Sequence, residues 1–371
     1  MKITAVETYW TQTPFDMGGK PKVMGGLNWQ TMNTVWLRIR TDAGIDGWGE
    51  AFGHGTAAGT MTVLDTQLAP AILGQDARDI AGLRQRLGKA FHIYGRNGPH
   101  VFALSALDIA LWDIAGKAAN LPLWRMLGGS PVESLACYAS LLRYGEASQV
   151  GTACERAAVQ GYRDVKLHEI TTPEIAAARD AFGDNARLMV DVNCPWTVWQ
   201  ALDMARDLEE LDLTWLEEPV WPPGDHEGMA RVRAEGGIPI AAGENAAGLH
   251  DFKAAFEAGA QDIAQPSVIK IGGPSAMIVI AALAKAFGVR LVPHNAYFGA
   301  GYLASLHCVA ALAPDAPFER LFIDLEGSPY HDLVNARNGS VKIPTGPGLG
   351  AEPDMAVLRR YQVREPVVHT V

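Results

Sequence analysis

The sequence predicts an α/β fold, a closed barrel of the (β/α)8 kind preceded by a smaller α+β domain, and three observations carry that expectation. The chain has 371 residues, more than a single core usually supports, so one large domain with a smaller companion is expected. From about residue 135, eight short apolar runs alternate with Ala-rich helical stretches, the pattern of successive βα units. At or near the C-terminal ends of successive runs stand Lys166, Asp191, Glu217, Glu244, Ser267 and His294, separated by 25, 26, 27, 23 and 27 residues. In a barrel that end is the active-site mouth. An open doubly wound sheet would want a Gly-rich phosphate turn after its first strand, and "YASLLRYGEA" contains no GxGxxG.

The elements follow in order. The strands "ITAVETYW" and "TVWLRIRT", the turn "DAGIDG" and the strand "GWGEAF" read as antiparallel, with alternating apolar residues around a Gly-bearing hairpin. Between the first two lies "TPFDMGGKPKVMGGLNWQ", whose Gly, Pro and Met content predicts a mobile lid loop near 15–30, with Lys20 and Lys22 as lid candidates. Helical periodicity runs from about 61 to 118. There Leu104, Leu107, Leu111, Ile114 and Ala115 form a stripe, and Pro122 marks the stop. Residues 1–125 are the expected first domain.

The barrel spans 126–345, with strands expected at "LACYAS", "DVKLHE", "RLMVDVN", "TWLEEPV", "IPIAAGEN", "DIAQPSV", "RLVPHNA" and "RLFIDLE". Residues 346–371 are expected to pack back on the first domain.

A formal net charge of −10 gives no electrostatic footing for nucleic acid or an anionic membrane. The four cysteines, Cys137, Cys154, Cys194 and Cys308, show no CxxC or metal-ligand spacing, as in a reduced cytoplasmic protein. The start "MKITAVETYW" lacks the apolar run of a secretory signal, and no stretch approaches the roughly 20 apolar residues of a membrane span.

Three successive strands end in the carboxylates Asp191, Glu217 and Glu244. Converging at one mouth, these would repel one another unless a cation sat among them. Oxygen ligands alone favour a hard ion, Mg²⁺ before Mn²⁺. Any one of the acids by itself could cap a helix instead. Lys166 and His168 are two apart in a strand and so share a face. Inward titratable groups are costly unless substrate lies there. A divalent ion facing a lysine and a histidine suits removal of the proton α to a carboxylate, the ion stabilising the enediolate while a base takes the proton. The expected partner is a small-molecule carboxylate.

At these residues the chain resembles the enolase superfamily, within it the mandelate racemase/muconate-lactonizing enzyme group. "GIDGWGEA" resembles the family's capping-domain hairpin, "ALDIALWDIAGKAANLPLWRMLGG" its signature helix, and "VDVN", "LEEP" and "GEN" its three metal-bearing strand ends. The resemblance implies a modified (β/α)7β TIM-like barrel under an N-terminal α+β capping domain, with Mg²⁺ on Asp191, Glu217 and Glu244. It also implies a homo-oligomer, and a substrate pocket shaped by the 15–30 loop and the turn around His54.

The departures bear on chemistry. Where racemase-type members carry Lys-x-Lys, this chain has Lys166-x-His168, so His168 inherits the role of base, with Lys166 as the alternative. His294 takes the place of the base or acid on the opposite face. Its usual aspartate partner is replaced by Ser267, which can orient the ring without supplying charge, so His294 suits the acid that protonates a leaving hydroxyl. In "FIDLEGS" Asp324 and Glu326 share a face, and Glu326 is the expected contact to the substrate carboxylate. Asn193 is expected to bind a substrate hydroxyl, Lys270 to contact substrate or pair in the barrel wall, and His307 to be packed in an apolar helix.

The expected reaction is dehydration of a sugar acid or small hydroxy acid to a 2-keto-3-deoxy acid. A racemase or epimerase of a 2-hydroxy acid and a lactone cycloisomerase are the alternatives within the resemblance. A barrel that binds metal and ligand without turnover is the alternative outside it, motivated by the changes at positions 168 and 267.

Overall fold

The computed structural model describes residues 1–20 and 29–371. Strands β1 (Ile3–Asp16), β2 (Thr31–Thr41) and β3 (Asp46–Ala51) form an antiparallel sheet in that order. β1 runs on past Trp10 because each residue from Thr8 to Pro14 finds a partner across β2. The long helix Pro99–Ala119 lies on this sheet. A Cβ on Gly47 or Gly49 would stand 2.2 or 2.0 Å from the carbonyl oxygen of Ala110 or Ala106, so glycine is what allows the approach. Leu107, Leu111 and Ile114 of the predicted stripe are buried there, while Leu104 and Ala115 are only partly covered.

Eight parallel strands make the barrel: β4 (Ser134–Ser140), β5 (Asp164–Leu167), β6 (Arg187–Asp191), β7 (Leu213–Glu217), β8 (Ile240–Ala242), β9 (Ile263–Ala264), β10 (Arg290–Leu291) and β11 (Phe318–Leu321). The ladder runs β10-β9-β8-β7-β6-β5-β4-β11. At the seam between its two ends, Asn295 bridges to Glu319, its backbone N–H donating to the carboxylate at 2.8 Å and its side-chain amide to the carbonyl at 3.2 Å.

The eighth strand begins earlier than its apolar run predicts. β11 buries two charged neighbours, Glu319 and Arg320, which hides it from a hydropathy reading. Part of the expected strand, β12 (Asp324–Leu325), has left the barrel and pairs with β1 at Phe15 and Asp16. β13 (Ser340–Lys342) pairs with the start of β4, and β14 (Val367–Thr370) pairs with β1 at Ala5–Thr8.

Period two orders the lumen. Tyr138, Met189, Trp215, Ala241, Ile263 and Val292 form one apolar layer. Two residues further along four of these strands stand Asp191, Glu217, Gln265 and His294, so apolar floor and polar mouth come from the same alternation.

Buried acids tie the first domain to the barrel. Glu50 accepts the Gly301 N–H at 2.7 Å, and Asp108 accepts the N–H and hydroxyl of Ser275 at 2.8 and 2.7 Å with Arg84 at 3.0 Å. Gly301 and Ser275 lie in the first turns of two barrel helices, where unpaired N–H groups and the helix dipole attract an acid's oxygens, although burial outweighs this at Glu50 and pushes its carboxyl up to about 8. Asp113 accepts from the N–H groups of Trp48 and Leu349 and pairs with Lys117 at 2.8 Å. Among the described residues no helix is long and apolar enough to cross a membrane.

Candidate active site

Lys166 is fully buried at the base of the mouth. Its Nζ stands 2.8 Å from Glu319, 3.0 Å from Glu217 and 3.5 Å from Asp191. Burial alone would lower its pKa, but Glu217, Glu319 and Asp191 together hold it well above the usual lysine value. A lysine held in this way keeps its proton at neutral pH.

His168 lies just beyond β5, with Nδ1 2.5 Å from the Leu141 carbonyl. A carbonyl only accepts, so that nitrogen carries the proton, and in the neutral ring Nε2 is the free lone pair. Nε2 stands 3.3 Å from Asp191 Oδ2. Burial works against the charged ring, and the Asp191 carboxylate beside Nε2 outweighs it, so the pKa is raised. Arg143 fixes the same residue from behind, its Nε donating to the His168 carbonyl.

His294 occupies another wall, with Nε2 2.7 Å from Glu244 Oε2 and Nδ1 buried without a partner. Ser267 does not orient this ring. Its hydroxyl donates to Tyr297 at 3.4 Å, and the Tyr297 hydroxyl donates to the His294 backbone carbonyl at 3.2 Å.

Asp191, Glu217 and Glu244 come from the ends of β6, β7 and β8, and Glu218, at φ 49°, joins them. Burial, then Asp191, pushes Glu217 up to about 7. Burial, then Glu244, Asp191 and Glu217, pushes Glu218 well above the carboxylate range. Asp191 Oδ2 is buried without a well-formed hydrogen bond. Oxygen donors in excess of nearby positive charge, one of them orphaned, fit a hard divalent cation. Among the described residues no three such side chains yet surround a common point. Glu217 accepts from Trp215 and Gln265 at 3.0 and 2.7 Å, and Glu244 is drawn to His294.

Above the acids is a cavity of about 660 Å³ that reaches His168, His294, Asn193 and Glu319. His54 belongs to its roof. The ring stacks on Phe52 at 4.5 Å and lies 4.6 Å from Trp29, and Nε2 is 3.2 Å from the Ala296 carbonyl. Burial pushes the His54 pKa down to about 3, so the ring is neutral. Asn193 donates its backbone N–H and side-chain amide to Asp191 Oδ1, both at 2.9 Å, and leaves its own Oδ1 unpartnered. His307 is packed, donating from Nε2 to the Leu349 carbonyl. Of the predicted lid, residues 21–28, including Lys22, lie outside the described residues.

Glu326 is not at the mouth. It sits on the surface beside β12, half exposed, with Arg360 at 2.9 Å and Tyr361 at 3.2 Å, and Asp324 is more exposed still. The last-strand acid that reaches Lys166 is Glu319, on β11. A signal for it exists in the sequence: Glu319 follows His294 by 25 residues, within the spacing of the earlier strand ends, whereas Glu326 follows by 32. Gln265 and Glu218 were also missed.

Residues 3–128 match the mandelate racemase / muconate lactonizing enzyme N-terminal domain, and residues 149–357 match the enolase C-terminal domain-like family. A D-galactarolactone cycloisomerase of Agrobacterium fabrum is 34% identical over 99% of this chain and 100% of its own length. An arabinonate dehydratase of Saccharolobus solfataricus is 30% identical over 91% of this chain and 93% of its own. The crystal structure of a racemase from Streptomyces coelicolor with bound magnesium superposes with a TM-score of 0.86 at 30% identity, covering 97% of this chain and 100% of that one.

Proposed function

The chain belongs to the mandelate racemase/muconate lactonizing enzyme group of the enolase superfamily, and from that premise we propose that it removes the proton α to a sugar-acid carboxylate and expels the β-oxygen, leaving a 2-keto-3-deoxy acid. The observation that carries the assignment of roles is the tautomer of His168. With Nδ1–H committed to Leu141, Nε2, 3.3 Å from Asp191 Oδ2, is the nitrogen that accepts in the neutral ring, on a residue that lines the cavity. Lys166, locked between Glu217 and Glu319, serves as a fixed cation for the substrate carboxylate.

The cofactor is Mg²⁺, which Asp191, Glu217 and Glu244 would hold and which would supply the positive charge that stabilises the deprotonated acid. His168 takes the α-proton at Nε2. His294 donates a proton to the β-oxygen as its bond to carbon breaks, and the resulting enol tautomerises to the keto acid. Glu319 orients Lys166, and Asn193 accepts from a substrate hydroxyl through its free Oδ1. His54 neighbours this end of the pocket as a neutral ring.

If the β-oxygen is a free hydroxyl, water leaves and the reaction is a dehydration. A second reading is favoured by the full-length cycloisomerase relative: the β-oxygen belongs to a ring, opens with it, and no atoms are lost. We further assign the protein to the cytoplasm as a homo-oligomer. Its four cysteines are unpaired, and Trp199 and Trp221 expose about two thirds of their surface, 64% and 66%.

The test is an Mg²⁺-dependent screen of sugar acids, their lactones and anhydro acids, read by semicarbazide trapping of keto products and by mass. A keto product one water lighter than its substrate is the expected result, and an isomeric keto product identifies ring opening. Return of substrate carrying α-deuterium with inverted configuration, and no keto acid, would make the enzyme a racemase.

A further inference from the structure

We infer that Lys270 binds the far end of the substrate and selects acids that carry oxygen there. This rests on the sugar-acid reading and deepens it. Lys270 follows β9 and is 7% exposed. Of the other titratable nitrogens at this site, His54 is a neutral ring beside the Ala296 carbonyl, and the remaining three each have a carboxylate close by: Lys166 has Glu319 at 2.8 Å, His168 has Asp191 at 3.3 Å, and His294 has Glu244 at 2.7 Å. Among the described residues Lys270 has no such ion pair, and residues 21–28, "PKVMGGLN", contain no acid. Its one hydrogen bond there is to Asn245 Oδ1, at 3.2 Å, and its ammonium lies 5.0 Å from the centre of the Phe52 ring.

Asn245 explains the missing ion pair. Its amide nitrogen is spent on Glu218 and Glu244, at 2.7 and 3.1 Å, and its oxygen on Lys270. The amide therefore stands between the lysine and the two acids, whose charges reach it through space while neither accepts one of its protons among the described contacts. Among the described residues two of the three ammonium protons have no protein acceptor, in a group lining the cavity. A buried cation in this state is unfavourable for folding. Proteins retain such a group where a ligand completes it.

The position indicates which part of the ligand. Lys166 is at the floor, among the strand-end acids, and Lys270 is under the Phe52 side of the roof. A substrate whose carboxylate lies at the floor presents its farther carbons to Lys270. Hydroxyls, a ring oxygen or a second carboxylate would accept from it, whereas an apolar tail would cover the ammonium and leave it unpaired. A site built this way rejects the analogue that lacks the oxygen.

Calorimetric titration of the Mg²⁺-loaded protein tests this, with D-galactonate and D-gluconate as polyol probes and 2-hydroxyhexanoate as the acid with the same head and chain length but an apolar tail. Lys270→Met is expected to weaken the better polyol acid about 10²-fold, to leave 2-hydroxyhexanoate unchanged or tighter, and to keep or raise the thermal midpoint. Lys270→Arg should recover part of the loss. If the Met variant fails to fold, Lys270→Gln makes the same comparison. Equal weakening of both kinds of acid, or none of either, would overturn the inference while leaving the proposed reaction standing. A wild-type protein that binds none of the three would overturn the sugar-acid reading and the inference with it.

Discussion

Buried carboxylates occur in two regions of this molecule under opposite terms. At the seam between the domains, Glu50, Asp108 and Asp113 each accept from at least one backbone N–H, and the two aspartates also face a cation. At the mouth, Asp191, Glu217 and Glu319 crowd around the single ammonium of Lys166, Glu319 alone of the three also accepting a backbone N–H from across the barrel, while Asp191 faces His168 and its Oδ2 lacks a well-formed bond. The seam acids are satisfied by the fold itself. The mouth acids are in excess of what the fold satisfies, so they await an ion and a substrate. Loss of a seam acid should therefore be felt in stability, and loss of a mouth acid in activity.

The largest effect should come from Glu319→Gln. Without the carboxylate beside Lys166, kcat/KM on the best substrate of the screen should fall about 10³-fold, roughly 4 kcal/mol at 1.36 kcal/mol per factor of ten, while the unfolding midpoint holds. A midpoint that falls with the activity would place Glu319 with the seam acids. Asp108→Ala should do the reverse. It leaves Arg84 and the Ser275 N–H unpartnered and should cost about 3 kcal/mol in urea unfolding, with kcat/KM of the folded enzyme within a few-fold of wild type.

Magnesium separates the regions next. At a hundredfold excess over its dissociation constant it should stabilise the wild type by about 2.7 kcal/mol, and Asp191→Asn should abolish that gain in a thermal melt whereas Asp108→Asn should not. The smallest effect is a pH slope. Burial pushes the Glu50 carboxyl up from 4.5 to about 8. Between those values the folded state keeps a proton that the unfolded state has lost, so stability should fall as pH rises through the window, by about 1 kcal/mol per unit. Glu50→Gln should flatten that component when melts at pH 6 and pH 8 are compared.

What the sequence made legible has a physical limit that these residues define. Strand-end spacing located Asp191, Glu217, Glu244 and His294, because each βα unit brings its last residue to the same rim. The inward face of Lys166 and His168 followed from period two alone. Extending the spacing one unit would have reached Glu319. The hydropathy of "RLFIDLE" pointed instead past the strand to Glu326, which the chain turns away to pair with β1. Choice of partner was not legible at all. That Ser267 bonds Tyr297, and that Asn245 stands between Lys270 and the acids, depends on chain segments brought together only in space.

The most direct test of the account follows the α-proton. A substrate found by the screen is incubated with Mg²⁺-loaded enzyme in deuterated water, and loss of the α-proton signal is followed by NMR for the wild type, His168→Asn and His294→Asn. Loss of the proton should slow by about 10²-fold or more in His168→Asn, while His294→Asn should still exchange deuterium into the substrate but form little keto acid. Exchange at the wild-type rate in His168→Asn would contradict the assignment of the base and return that role to Lys166.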